Sequence, residues 1–390
     1  MQHIIIYDRP DVRAELLPMS YTRPIGAMRV GVDTLAQKWQ ALLPGSYSWM
    51  AGADYLSDIF PTDPEALADH ATLFISGEVL ADASLAAAVA ALKPGDKLVD
   101  ASGCEIAHRG SDAMVEVAYT GTVTRIGKLY DIFLRNAEAI AADFARLTAG
   151  RTSTPLSATN TVIGDPGLVF LGPGAKVEGA FLNTTGGPIY IGENAEIMEG
   201  SMLRGPIALC EHATVTMGAK IYGGTTIGPW CKVGGEVNNV VFQGYSNKAH
   251  DGFLGNAVIG EWCNLGAGCV ASNLKNDYTP IRLWNYPARR FERTGLQFCG
   301  LIMGDHSKAG INTMFNTATV LGVGVNVHGS GFPRPFVASF SEGSAAGFSD
   351  VSMTKFFEIA RRMMARRGRE LTEADERMFY AIRHAAEELK

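Results

Sequence analysis

The stretch Ile191–Val233, IGENAEIMEGSMLRGPIALCEHATVTMGAKIYGGTTIGPWCKV, repeats with a period of six: Ile191, Ile197, Leu203, Leu209, Val215, Ile221, Ile227 and Val233 fall at every sixth position. A helical face repeats near 3.6 residues and a half-buried strand near 2. A strict period of six therefore means very short strands with turns between them, each supplying one aliphatic residue to the interior. Small or turn-forming residues stand beside several of these positions, as in Ile191-Gly192, Arg204-Gly205 and Ile227-Gly228. This is the hexapeptide signature of a parallel β-helix. It resumes at Phe253, Ile259 and Leu265 and again at Met303, Ala309, Phe315, Leu321 and Val327, while residues 272–298 drop the register.

The run resembles the left-handed triangular form of that fold, with three hexapeptides and about 18 residues per coil. At 390 residues the chain is long enough for two or more domains, and 47% hydrophobic with 19% charged residues is the composition of a globular protein. A net charge of −6 argues against nucleic acid as a partner. The apolar run near the start is too short for a signal peptide and no apolar span of 18 residues exists, so no membrane contact and a cytoplasmic location are expected. Cys104, Cys210, Cys231, Cys263, Cys269 and Cys299 form no CxxC pair and read as reduced, packed thiols.

Upstream, His3–Tyr7 reads as a buried strand, followed by strand-like runs at 47–50, 73–76, 97–100 and 114–117. Helical patterns at 32–42 and 83–92 alternate with them, which predicts an α/β domain with a parallel sheet over residues 1–125. Residues 129–147 read as a long helix within a helical linker, 126–158, that ends in a polar, breaker-rich run. The β-helix is expected over 159–330 with its loop insertion at 272–298, and a helical tail over 331–390, in which Thr372 and Asp375 mark a helix start. Arg361, Arg362, Arg366, Arg367 and Arg369 read as a solvated helix face.

Chemistry is densest over residues 244–275. Lys248-Ala249-His250, Phe253-Leu254-Gly255, Asn264-Leu265-Gly266-Ala267-Gly268 and Asn273 keep the order and spacing of a motif in the acetyltransferase half of the bifunctional GlmU enzymes, and the chain resembles a divergent branch of that family with a shortened nucleotidyltransferase-like first domain. The resemblance implies acetyl-CoA as cofactor, an amino sugar phosphate such as glucosamine-1-phosphate as acceptor, and a homotrimer. Acetyl transfer to an amine needs a base working near neutral pH, for which imidazole is suited, and His250 stands at the matching place. Lys220, Lys248, Phe253, Asn264, Asn273 and Arg282 are expected to bind the substrate. Gly266, Ala267, Gly268 and Lys308 are expected to bind the cofactor, with amides of the glycine turn as oxyanion donors. His306, in Asp305-His306-Ser307-Lys308, is a second candidate whose histidine precedes the motif. Where the family carries paired lysines that grip phosphate, this chain has Asn238-Asn239. The polar and aromatic insertion 272–298 is expected to cover a site and take over that grip.

In the first domain, Arg13 and Arg23 resemble residues that bind the phosphates of UTP or another NTP, and Glu78 in LFISGEVL stands where the family holds Mg²⁺. The first glycine is Gly26, so the phosphate loop expected after the first strand is missing. Two other readings remain open. One is a non-catalytic trimeric scaffold that binds nucleotide sugars, or a nucleotidyltransferase alone. The other is a hexapeptide zinc enzyme of the γ-carbonic anhydrase kind, which needs two histidines five residues apart; no such pair exists here.

Overall fold

The computed structural model describes residues 2–112 and 115–389. By internal contacts the chain forms two units. The first holds residues up to Met28, Asp33–Asp131 and Glu373–Ala381, and the second holds Arg29–Val32, Ile132–Thr372 and the residues from Ile382 on.

The first unit is a six-stranded sheet with helices. His3–Tyr7, Ser46–Met50 and Leu73–Ser76 run parallel. The sheet is mixed rather than all parallel, because Glu105–Arg109, which the sequence reading did not pick out, inserts antiparallel between Leu73–Ser76 and Asp96–Val99. The last strand is Val115–Ala118, so Met114 of the expected strand lies outside the described residues. Thr34 caps the helix Leu35–Leu42 through a reciprocal capping box with Gln37, which places its start three residues inside the expected pattern.

The second unit is the β-solenoid. Its strands are two to four residues long apart from Glu236–Gly244 and Phe253–Glu261, which run across two faces. All eight aliphatic residues from Ile191 to Val233 are buried, at 2% exposure or less. Parallel ladders stack equivalent strands, as in Ile189↔Ile207↔Thr225 and Glu196↔Thr214↔Lys232. Phe253 breaks the expectation: Leu254 pairs with Val237 on the inside and Phe253 is turned outward, half-buried, because the inward residues Leu254 and Ile259 are five positions apart rather than six. The stack also runs past residue 330. After the Pro-Gly loop, Phe336–Val337 pairs with Val320–Leu321 and Ser341–Ser344 pairs with Asn326–Val327. The helix Asn136–Thr148 covers one face, packing Ile140 and Phe144 on Phe170, Tyr190 and Ala208.

Residues 272–298 form an antiparallel hairpin, Arg282–Asn285 with Arg290–Arg293. Trp284 stacks on Phe336 with ring centroids 4.1 Å apart. Among the described residues no helix is long and apolar enough to cross a membrane. Five of the six cysteines are buried, and none forms a disulfide among the described residues.

Because each corner of so narrow a core is filled by one side chain, Leu209→Ala should cost about 2–5 kcal/mol in urea unfolding. Met217→Ala, on an exposed turn, should stay within about 0.5 kcal/mol.

Candidate functional site

One edge of the solenoid is built from aromatic residues in the left-handed backbone region: His212, Trp230, Tyr245, Trp262 and His306 all have φ between 54° and 60°. They stack in pairs along the coil axis, His212 on Trp230 at 4.0 Å and Tyr245 on Trp262 at 4.3 Å. Beside this edge, parallel register places Lys232, Asn247 and Asn264 in one outward row on consecutive coils, which sets them near 4.8 Å apart. The row, with Tyr245 and Trp262 of the edge, lines a cleft of about 390 Å³ that His250 and the turn Gly266-Ala267 also line. Met363, Arg366 and Arg367, at the end of the helix Met353–Ala365, also line it. Two of the five arginines read as a solvated face are therefore cleft residues. Arg367 lies over the Trp230 ring at 5.9 Å, and Arg369 donates to the Tyr245 hydroxyl at 3.2 Å. The carboxamide oxygen of Asn247 is buried and has no hydrogen-bond partner among the described residues.

His250 sits on the turn that follows Asn247–Lys248, with its side chain exposed. That turn is fixed from inside. Thr216 Oγ1 donates to the carbonyl of Ala249 at 2.9 Å, and Lys248 Nζ donates to the carbonyls of His250 at 2.6 Å and Gly234 at 3.0 Å. Gly252 is required here, since its φ is +128° and a Cβ would meet the Cys269 carbonyl at 2.0 Å. Lys248 does not bind substrate from this position. It occupies the inward column of Val215, Val233, Leu265 and Ala309, is 1% exposed, and burial pushes its ammonium down to about 8. Of the turn amides, Gly266 N–H donates to Ala309 O and Gly268 N–H to Asp251 O. Ala267 N–H makes no hydrogen bond among the described residues and is the one left to meet a ligand.

The remaining expected site residues lie elsewhere. Asn273 donates to Asn256 Oδ1 at 2.8 Å as part of an asparagine ladder along a corner, not in the cleft. Lys220 and Phe253 share a different face, linked through Glu236 in register. Arg282 is folded onto its own hairpin, donating to Phe291 O, and no hairpin residue lines the cleft. Lys308 continues the Asn264 row one coil further, half-buried, with Nζ on the carbonyl of His306 at 2.8 Å and burial holding it down at about 8. His306 is buried at 4% exposure between Trp262 and Phe356, a packed ring with no opening to the cleft.

In the first unit, Arg13 donates to Ser20 O and Tyr55 Oη and faces the buried Asp8 at 3.8 Å. Asp8 accepts from Ile25 N–H and Gly52 N–H, and burial raises its carboxyl to about 6. Arg23 is buried. Glu78 does not fit a magnesium ligand. It is 1% exposed, its oxygens take the Ser76 hydroxyl at 2.5 Å and Arg125 Nη1 at 2.9 Å, and Arg9 stands 3.6 Å away. Two guanidiniums already neutralise it, and no cluster of three acidic, histidine or cysteine ligands exists among the described residues.

Residues 4–152 match the family described as sugar nucleotidyl transferase. Among curated proteins, the chain is 30% identical over 118 residues to the bifunctional protein GlmU of Methanocaldococcus jannaschii, a match covering 30% of this chain and 26% of that protein. To GlmU of Rippkaea orientalis it is 27% identical over 147 residues, covering 37% of this chain and 26% of that protein. The matched part thus spans about a quarter of the length of these relatives. Among solved structures, the polySia-specific acetyltransferase NeuO aligns with 50% of this chain and 87% of its own at 11% identity, with a TM-score of 0.26, too low to carry any argument.

Lys248 makes the site's strut measurable. Its ordinary value is 10.5 and its folded value about 8. Between these pH values the unfolded chain holds a proton that the folded chain has released, so the stability cost of the buried charge is complete below pH 8 and is relieved as pH rises toward 10.5. Urea unfolding of the wild type should therefore gain up to about 3 kcal/mol over that window relative to Lys248→Met. At pH 7 the two should differ by only about 1 kcal/mol, since an apolar side chain of like volume replaces the buried ammonium.

Proposed function

We propose that this divergent relative of GlmU is an acetyl-CoA-dependent N-acetyltransferase whose acceptor is an amino sugar phosphate, glucosamine-1-phosphate or a close analogue. The observation that carries the reading is that His250, Asn264 and the unengaged amide of Ala267 share one cleft. The acceptor amine attacks the thioester carbonyl, His250 takes the proton released from the amine, and the oxyanion formed is met by the Ala267 N–H; as the carbonyl re-forms the C–S bond breaks and His250 returns the proton to the sulfur, so that CoA leaves as the thiol. Asn264 and Asn247 offer polar contacts to the hydroxyls of the sugar. The turn beneath His250 is tied to the two preceding coils through Gly234 and Thr216, which keeps the base in place without reorganisation.

The assembly is proposed to be a homotrimer through the solenoid. Ile163, Phe181, Met202 and Tyr222 are each more than 40% exposed and lie on one flat run of adjacent strands, an apolar strip of the kind that subunits bury. Light scattering should give three chains per particle; a monomer at micromolar concentration would refute it.

For the first unit, the engagement of Glu78 by Arg125 and Arg9 favours nucleotide-sugar binding without turnover. Pyrophosphate release from UTP and an N-acetylated sugar 1-phosphate in the presence of Mg²⁺ would overturn that reading. For the second, thiol release from acetyl-CoA with glucosamine-1-phosphate should fall by a factor of about 10² to 10⁴ in His250→Ala, with acetyl-CoA binding retained. A His250→Ala protein at wild-type turnover would sink the assignment. His306→Ala should instead lower thermal stability, because a buried ring is lost.

A further inference from the structure

The cleft at His250 carries three cations and no carboxylate. Lys232, Arg366 and Arg367 line it, and no Asp or Glu does. None of the three forms an ion pair among the described residues, although the chain as a whole carries a net charge of −6. Elsewhere on the surface its arginines find partners: Arg377 pairs with Asp58, Arg289 with Glu388, Arg383 with Asp350. Uncompensated positive charge in a concave wall focuses its field on whatever anion enters.

The arginines are also placed rather than loose. Gly368, at φ +64°, ends the helix, and the amides of Arg367 and Arg369 return to the carbonyl of Met364. Arg369 is anchored on Tyr245 and Arg367 rests over Trp230, so the helix end is fastened to the aromatic edge and Arg366 and Arg367 are directed to the cleft. In the row between Lys232 and Asn264, the buried Asn247 oxygen lacks a donor among the described residues. A ligand completing this site brings negative charge for two guanidiniums and an ammonium, and a hydroxyl or amine for Asn247.

The two positions where related enzymes carry lysines cannot serve that purpose here. With its carboxamide oriented to satisfy both ends, Asn239 donates to Phe133 O and Gly224 O and accepts from Asn256 Nδ2, so it is spent on the corner ladder. Asn238 pairs in register between Tyr222 and Gly255.

We infer that Lys232, Arg366 and Arg367 form a phosphate grip in the His250 cleft, taking the phosphomonoester of the amino sugar acceptor while Asn247 accepts from its hydroxyl or amine. This rests on the transferase reading for the identity of the acceptor, but not for the existence of the site. CoA also carries phosphates, and the test separates the two sources.

The experiment compares wild type with Arg366→Gln/Arg367→Gln and with Lys232→Met, each checked for an unchanged melting temperature. Calorimetry with glucosamine-1-phosphate, glucosamine, acetyl-CoA and 3′-dephospho-acetyl-CoA reads binding without requiring turnover, and steady-state kinetics reads KM where turnover is present. Loss of charge-assisted bonds to phosphate should weaken glucosamine-1-phosphate by about 10- to 100-fold in the double variant, and collapse its advantage over glucosamine. Acetyl-CoA should weaken less than twofold. If acetyl-CoA weakens instead, and by less when the 3′-phosphate is absent, the grip stands and belongs to the cofactor. If no phosphorylated ligand weakens in any variant, the grip is refuted whatever the outcome for acetyl transfer. A dead His250→Ala together with unaltered phosphate binding in the arginine variants would leave the transferase reading intact and remove only the grip.

Discussion

The narrow interior of the solenoid governs everything else in the second unit. Each coil turns one side chain inward at each corner, the column is already full, and the backbone between corners is committed to its neighbours above and below. Nothing soluble can enter such a prism. Function must therefore be written on corners and outward rows, where residues distant in sequence come into register. The cleft follows from this: one row, Lys232, Asn247 and Asn264, one aromatic edge, and one turn carrying His250.

The same constraint explains what could be read from the amino-acid order. A period of six is local and survives in the sequence, so the fold of residues 191–233 was visible without coordinates. The slip that turns Phe253 out and Leu254 in was not, because it depends on how many residues the corner between Leu254 and Ile259 consumes. Lys248 illustrates the harder case. Motif position put it among polar ligands, whereas register puts it in an aliphatic column. Arg366 and Arg367 offered no signal beyond a basic helix, since the aromatic rings that anchor that helix end lie in other coils. His306 was separable from His250 on motif order alone, and its burial against Phe356 supplies the physical reason.

The first unit shows a different balance. Its strand runs were legible as apolar stretches, yet the antiparallel Glu105–Arg109, with polar and charged ends, carries too little apolar pattern to announce itself. Arg125 draws the polar cluster together, donating to Glu78, Asp100 and the carbonyls of Cys104 and Glu105. Its bonds, with those of Ser102 and the Cys104 amide, hold the Asp100 carboxyl down at about 2 against the opposing effect of burial. Charge in this cluster is thus consumed internally, Arg125 being shared between Glu78 and Asp100.

The hairpin insertion has a consequence for how the solenoid comes to be made. Neighbouring coils elsewhere are separated by little more than one repeat, so a growing stack can add each coil to the last by short-range closure, as one-dimensional repeat arrays do. At the hairpin the partners Glu261 and Asp305 are 44 residues apart. Closing that longer loop costs less than about 1 kcal/mol in entropy over a normal coil, too little to weaken the finished molecule. It is nevertheless the one place in the stack where propagation must wait for a distant segment to arrive, a seam between an early and a late half. Asn264 stands on one side of that seam and Lys308 on the other, so the turn that carries Ala267 is completed only when the two halves have zipped together.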